Sequence, residues 1–251
     1  RMIDVIEHGP VRELRLARPP VNALSPDLLQ ALTSAIKVAP VEGARALVLS
    51  GREGMFTGGL DVPLLLELDR DGLLQALEVF FDAMEALATS ELPVAAAITG
   101  HSPAGGAVLA LFCDWRVMAE GAFVIGLNEV RIGIPMPRVI AEALARAVGP
   151  RRAEELVQTG RLLSPDEALE TGLVDRVVPA AGVVEAALAW CRELAELPRH
   201  ALGASRSTVR RDLVEMVATC RARDVEVLAE DWFRPEVQTP LRRLVEQLRK
   251  R

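Results

Sequence analysis

Two short apolar runs, "ARALVLSG" ending at Gly51 and "LPVAAAITG" ending at Gly100, constrain the fold of this chain most. Each has the length of one strand, is apolar at consecutive positions and stops at a glycine. A strand apolar on both sides needs cover on both faces, as in a parallel sheet packed between helices. The neighbouring stretches offer that cover. "SPDLLQALTSAIKVA" carries a Ser25 cap, Pro26 in its first turn and a helical apolar stripe. "DVPLLLEL" begins with a capping Asp61, and "DGLLQALEVFFDAMEALATS" reads as a long amphipathic helix.

Ahead of these, "MIDVIEHGPVRELRLARPP" alternates apolar and polar residues about "HGP", the pattern of two strands and a tight turn. "PAGGAVLALFCD", "WRVMAE" and "AFVIG" continue the apolar segments, and helical patterns run through "RVIAEALARAVG", "PRRAEELVQTG" and "SPDEALETG". From Ala181 onward the pattern is helical only. The expectation is an α/β core over residues 1–180 and a helical C-terminal region over 181–251. That region is too apolar to stand free, so it should pack on its own core or on a neighbouring subunit.

At 251 residues, half apolar and a quarter charged, the chain has the profile of a folded protein with a sizeable core. No run approaches the ~20 apolar residues of a membrane span. The start, "RMIDVIEHG", holds Asp4 and Glu7 where a signal peptide would be apolar. Met2 reads as a native start, so a bacterial cytoplasm is expected, with a mitochondrial matrix left open. A net charge of −6 argues against nucleic-acid binding. The three cysteines and three histidines are scattered, which suits reduced thiols and gives no metal site.

Two glycine-rich stretches follow the two apolar strands: "GREGMFTGGLD" at 51–61 and "GHSPAGGAVL" at 100–109. The glycines serve either turns and close helix packing, or backbone N–H groups left bare for a ligand oxygen. Neither stretch is a phosphate-binding fingerprint. Their position at strand carboxyl ends is where open α/β sheets bind ligands. Two N–H donors converging on one oxygen would form an oxyanion hole, which needs a partner that moves a proton. No G-x-S-x-G is present, and Ser102 beside His101 reads as a turn feature. Glu129, beside Asn128 in "GLNEVRIGIPMP", remains. Residue type alone favours a solvated acid in a turn.

"PPVNALS", "FTGGLDV", "SPAGGAVLALFCDWRV" and "GLNEVRIGIP", in this order, resemble the enoyl-CoA hydratase/isomerase (crotonase) superfamily over roughly residues 10 to 180. The resemblance implies a crotonase (ClpP-like) fold of repeated ββα turns, with a helical C-terminal trimerisation region supporting homotrimers or dimers of trimers. It implies an acyl-CoA thioester substrate and no further cofactor. It makes the N–H groups of Leu60 and Gly105 the oxyanion donors and Glu129 the acid/base. CoA would lie against Asn22 and Ala23 and along Gly58, Gly59 and Asp61, with Asn128 helping to orient Glu129 or touching substrate. Asp61 reads equally well as only a helix cap.

Hydratases of the family carry a second glutamate at the position that is Val108 here. Together with "SPAGG", "GLD" and "GLNE", this resembles the mitochondrial-type Δ3,Δ2-enoyl-CoA isomerases. One carboxylate can reach both C2 and C4, whereas hydration must also place a water. Val108 is expected to make the site drier and to raise the pKa of Glu129. The rival readings are a hydratase or another crotonase-type reaction, and a non-catalytic CoA-binding subunit. Basic residues Arg242, Arg243, Arg249 and Lys250 could meet CoA phosphates or form a solvated face. Arg138 stands where an apolar residue is expected, which bears on chain length.

Overall fold

The computed structural model describes residues 2–249. Strands β1 (Ile3–His8) and β2 (Val11–Leu16) form the expected antiparallel hairpin, and α1 (Pro26–Val38) follows with Ser25 as its cap. Three ββα turns come next. The first is β3 (Ala46–Ser50), β4 (Gly54–Met55), α2 (Val62–Leu65) and α3 (Arg70–Thr89). The second is β5 (Val94–Ile98), β6 (Gly100–Pro103) and α4 (Gly105–Leu111). The third is β7 (Trp115–Ala119), β8 (Ile125–Gly126), a 3-10 turn (Glu129–Ile132) and α5 (Arg138–Val148). Then come α6 (Pro150–Thr159), α7 (Pro165–Thr171), β9 (Arg176–Val178), α8 (Val183–Ala195), α9 (Arg199–Val209), α10 (Arg211–Trp232) and α11 (Pro235–Arg249).

The long strands build a six-stranded sheet in the order β1-β2-β3-β5-β7-β9, parallel from β2 onward. Its alternate residues face opposite layers. Leu47, Leu49, Ala96 and Ile98 join the large core with α1, α3 and α4. Ala46, Val48, Ala95 and Ala97 meet Val183, Ala187, Leu188 and Cys191 of α8. The sheet is therefore covered on both faces, as its continuous apolar strands require. The small residues of β5 let α8 approach closely, and Cys191 Sγ reaches Leu47 O at 3.3 Å.

No sequence pattern marks the strands β4, β6 and β9, and β4 and β6 matter most. With β8 they form a second, three-stranded parallel sheet, order β4-β6-β8. The strand-ending glycines explain how the chain changes sheet. A Cβ on Gly100 would sit 2.0 Å from the Gly54 carbonyl carbon, and one on Gly51 would sit 2.4 Å from Met55 O. Backbone meets backbone at these corners, and only glycine leaves the space.

The C-terminal helices grip the core through α10, which packs on α3 and α5. The stretch from Arg206 to Phe233 has helical character throughout, but it breaks at Arg210 between α9 and α10. The break lets Arg206 and Arg210 turn inward together. Arg206 Nε donates to Asp114 Oδ2 at 3.0 Å and Arg210 Nη1 to Asp114 Oδ1 at 2.9 Å. The same guanidinium groups donate to the carbonyls of Leu87, Ala88 and Ser90 at the end of α3, and to Phe112 O. Cations at a helix C-terminus meet both unsatisfied carbonyls and the negative end of the macrodipole. Among the described residues, no helix is long and apolar enough to cross a membrane.

Candidate active site

The carboxyl ends of the three short strands meet at one cavity of about 580 Å³. β4 runs into Gly58–Leu60, β6 into Ala104–Gly105, and β8 into Asn128–Glu129. The strand ends that carry the site thus belong to the second sheet, not to the long central strands from which sequence reasoning argued. Elsewhere the walls are apolar except for His101, with Leu65, Phe80, Ile134 and Leu162 among them.

Two backbone N–H groups, those of Leu60 and Gly105, lie side by side on this wall. A Cβ on Gly105 would stand 3.3 Å from Leu60 N, and one on Gly59 would stand 3.3 Å from Gly105 N. Gly59 has φ +89°, a conformation that turns the following N–H without a steric cost. Among the described residues, neither donor has an acceptor within the protein. The frame behind them is tightly bonded. Thr57 Oγ1 donates to Asn22 O at 2.7 Å and accepts from Gly59 N at 3.1 Å. Ala104 N donates to Gly126 O at 2.8 Å, which ties the β6 end to β8.

Glu129 is not the solvated turn acid that its residue type suggested. Only 8% of it is exposed, because the turn that carries it is covered from both sides. Arg131 Nε donates to Thr159 O at 2.8 Å at the end of α6. On the other side α11 arrives so closely that a Cβ on Gly133 would meet Glu236 O at 2.7 Å. Burial pushes the Glu129 carboxyl up to about 7, because a charge is poorly solvated among apolar walls. Glu129 Oε2 and Asn128 Oδ1 are both buried without a hydrogen-bond partner. A buried carboxyl with one oxygen unpartnered and a pKa of about 7 suits proton transfer to and from carbon.

The other expected contacts divide. Gly58 lines the cavity beside Val21. Asn22, only 1% exposed, uses its side chain in the frame: Oδ1 accepts from Arg18 N and Nδ2 donates to Phe56 O, both at 3.0 Å. Ala23 contributes its carbonyl to Arg18 Nη1 at 3.1 Å. Asp61 caps α2 through Leu64 N and pairs with Arg18 at 2.6 Å. Val108 is fully buried in the core and is not on the cavity lining. The dryness around Glu129 therefore comes from walls that local sequence did not reveal: Ile132, Ile134, and Trp232 and Leu244 from α10 and α11. No motif marks these last two, since they reach the site only by tertiary packing.

Arg138 lies on the surface beside Glu142 at 3.8 Å, away from the lining. Arg242 and Arg243 are exposed on α11, while the side chain of Arg249 and all of Lys250 lie outside the described residues. His101, read as part of a turn, sits on β6 and borders the cavity, with its ring edge-on to Phe123. Among the described residues, no group of three His, Cys, Asp or Glu side chains could hold a metal ion.

A strand-turn-helix repeat with two bare N–H groups and one buried carboxyl on a single cavity accords with the comparisons. The Enoyl-CoA hydratase/isomerase family profile matches residues 7–250. The chain belongs to that family. It is 31% identical over 242 residues to human mitochondrial enoyl-CoA delta isomerase 1, covering 95% of this chain and 80% of that one. It is 36% identical over 223 residues to a probable enoyl-CoA hydratase, EchA17, of Mycobacterium tuberculosis, covering 86% and 84%. The crystal structure of human mitochondrial Δ3-Δ2-enoyl-CoA isomerase superposes with a TM-score of 0.94 at 30% identity, covering 100% of this chain and 99% of that one. The crotonase fold expected from the motifs is the fold of this family member.

Proposed function

We propose that this enzyme is a Δ3,Δ2-enoyl-CoA isomerase, moving a double bond from C3–C4 to C2–C3 of an acyl-CoA thioester. The observation that carries this reading is the solitude of Glu129. Among the described residues it is the one carboxyl group on the lining of a largely apolar cavity, and its pKa is raised to about 7 by burial.

In the reaction, ionised Glu129 removes a proton from C2. The electron pair left on C2 moves toward the carbonyl, giving a dienolate whose charge rests on the thioester oxygen. The N–H groups of Leu60 and Gly105 donate to that oxygen as its charge develops. A preorganised donor of this kind is worth about 10²–10³ in rate. The Glu129 proton is then delivered to C4, the C2–C3 double bond forms and the thioester carbonyl is restored. C2 and C4 are separated by one carbon, so a single carboxyl can serve both. Asn128, next in the chain and also carrying a buried oxygen without a partner, would orient Glu129 or touch substrate.

Hydration is the competing reading, since relatives of similar identity carry a hydratase name. It requires a water held against C3. The family resemblance puts the hydratases' second glutamate at the position of Val108, which here is an aliphatic residue buried off the lining and offers no acid to hold that water. Paired turnover of a 3-enoyl-CoA and a 2-enoyl-CoA by wild type and Glu129→Gln separates the two. The expected result is rapid isomerisation, lost in the variant, with little hydration. Dominant hydration of the 2-enoyl-CoA would overturn the assignment, and binding without turnover of either would favour a non-catalytic CoA-binding role.

A further inference from the structure

Among the described residues only two other than glycine have φ in the left-handed region, Asn22 at 51° and Ala104 at 49°. Their situations differ. Asn22 is a residue type that tolerates this region, and both ends of its side chain are hydrogen-bonded. Ala104 has ψ −118°, outside the left-handed helical basin, and its methyl group offers no compensating bond. Glycine would adopt this conformation without strain, and the next two residues, Gly105 and Gly106, are glycines. A strained alanine at this point calls for something that the methyl group does.

Its position suggests what. Ala104 borders the cavity and immediately precedes Gly105, whose N–H is one proposed donor. Its backbone is held at both ends, with Ala104 N donating to Gly126 O at 2.8 Å and Ala104 O accepting from Val108 N at 3.0 Å. Its Cβ faces the segment that carries the other donor, since a Cβ on Gly59 would stand 3.4 Å from it. The methyl group, carried on the segment of one donor, therefore lies against the Gly59 turn that carries the other.

We propose that Ala104 is a positioning residue whose β-carbon buttresses Gly59–Leu60 and keeps the Leu60 and Gly105 N–H groups aimed at one oxygen. This deepens the proposed function, because it assumes that those two groups polarise a thioester carbonyl. It need not assume isomerisation, so the two can be tested apart. The direct readout is the infrared carbonyl stretch of a 2-enoyl-CoA bound to the full chain, which shifts to lower frequency when the oxygen accepts two hydrogen bonds.

Wild type is expected to show the shift, and Ala104→Gly to lose a substantial part of it while still melting cooperatively. In isomerase assays the same variant is expected to lose about tenfold in kcat, with KM changed less than about twofold, as for a modest misplacement of catalytic groups. The pH midpoint of kcat is expected to stay in place, because Glu129 is untouched. Ala104→Ser keeps the β-carbon and is expected to restore most of the carbonyl shift and of kcat. An unchanged shift in Ala104→Gly would overturn the proposal. So would an equal loss in Ala104→Ser, or a wild-type carbonyl that does not shift. A shifted carbonyl in wild type without turnover would instead count against the isomerase assignment alone.

Discussion

Asp114 and Glu129 are both carboxyl groups held largely out of water, yet the protein surrounds them in opposite ways. Asp114 accepts from Arg206, Arg210 and Val94 N, and each arginine also donates to backbone carbonyls. Two guanidinium groups meet its one carboxylate, and the cluster joins α9 and α10 to the ends of α3 and α4. Glu129 has apolar neighbours, an oxygen without a partner and a pKa of about 7. The first arrangement secures the fold, and the second leaves a proton free to move. A buried acid becomes a reagent when the structure withholds its partners.

The largest expected effect follows from removing the ionisable group at Glu129. Glu129→Gln is expected to lower isomerase kcat by about 10²–10⁴-fold, the range for a positioned general base, while the protein remains folded. Circular dichroism and steady-state turnover on one preparation check this. Retained activity would remove Glu129 from the mechanism.

Asp114→Ala is the reciprocal experiment. It strands two buried guanidinium groups and is expected to cost about 3–5 kcal/mol of stability. Urea unfolding measures the loss, and turnover per folded molecule below the transition should match wild type. A reduced kcat in the folded fraction would mean that the two regions are not separate.

Acidity sharpens the contrast further. Glu129 works as a base when ionised, so kcat is expected to rise with pH through a midpoint of about 7. Stability should move the other way. The folded-state pKa of about 7 lies above the ordinary value of 4.5, so the folded state holds this proton more tightly than the unfolded chain. The contribution is full below pH 4.5, declines as pH rises toward 7 and is lost above it. Its size is on the order of 3 kcal/mol. Glu129→Gln should therefore unfold at higher urea than wild type at about pH 8, with the difference shrinking toward about pH 5. A constant difference across that range would show that burial does not set this pKa.

The smallest effect is expected at the rim. Arg18→Ala removes the pair with Asp61, but the Asp61 cap on α2 remains. Arg18 is partly exposed, so about 0.5–1 kcal/mol of stability is at stake, together with the Arg18 bond to Ala23 O. A rise in KM without loss of kcat would show that this loop also touches the CoA moiety.

Much of this arrangement is legible in the chain itself. Consecutive apolar residues in "ALVL" and "VAAAI" predict strands covered on both faces, and the Ser25 and Asp61 caps mark helix starts. The glycine-rich segments and Glu129 carry the family resemblance in order. These features are local: their physics depends on residues within a few positions of one another. The short strands β4, β6 and β8 are different. They have too few residues for any periodicity, and the sharp corner at Gly100 that sets β6 apart is visible only when Gly54 is seen against it.

Sequence alone thus determined the α/β class and the covered central strands, and through the family resemblance it named the candidate donors Leu60 and Gly105 and the candidate acid Glu129. Tertiary structure decided whether that acid is a surface charge or a buried one. The cavity walls around it include Ile134, Trp232 and Leu244, which are far apart in the chain and come together only because the C-terminal helices fold back over the core and α11 packs on the Glu129 turn. A pKa depends on everything within a few ångströms, whatever its distance along the sequence. Residue order can name the carboxyl group, but only the packed helices around it set its charge.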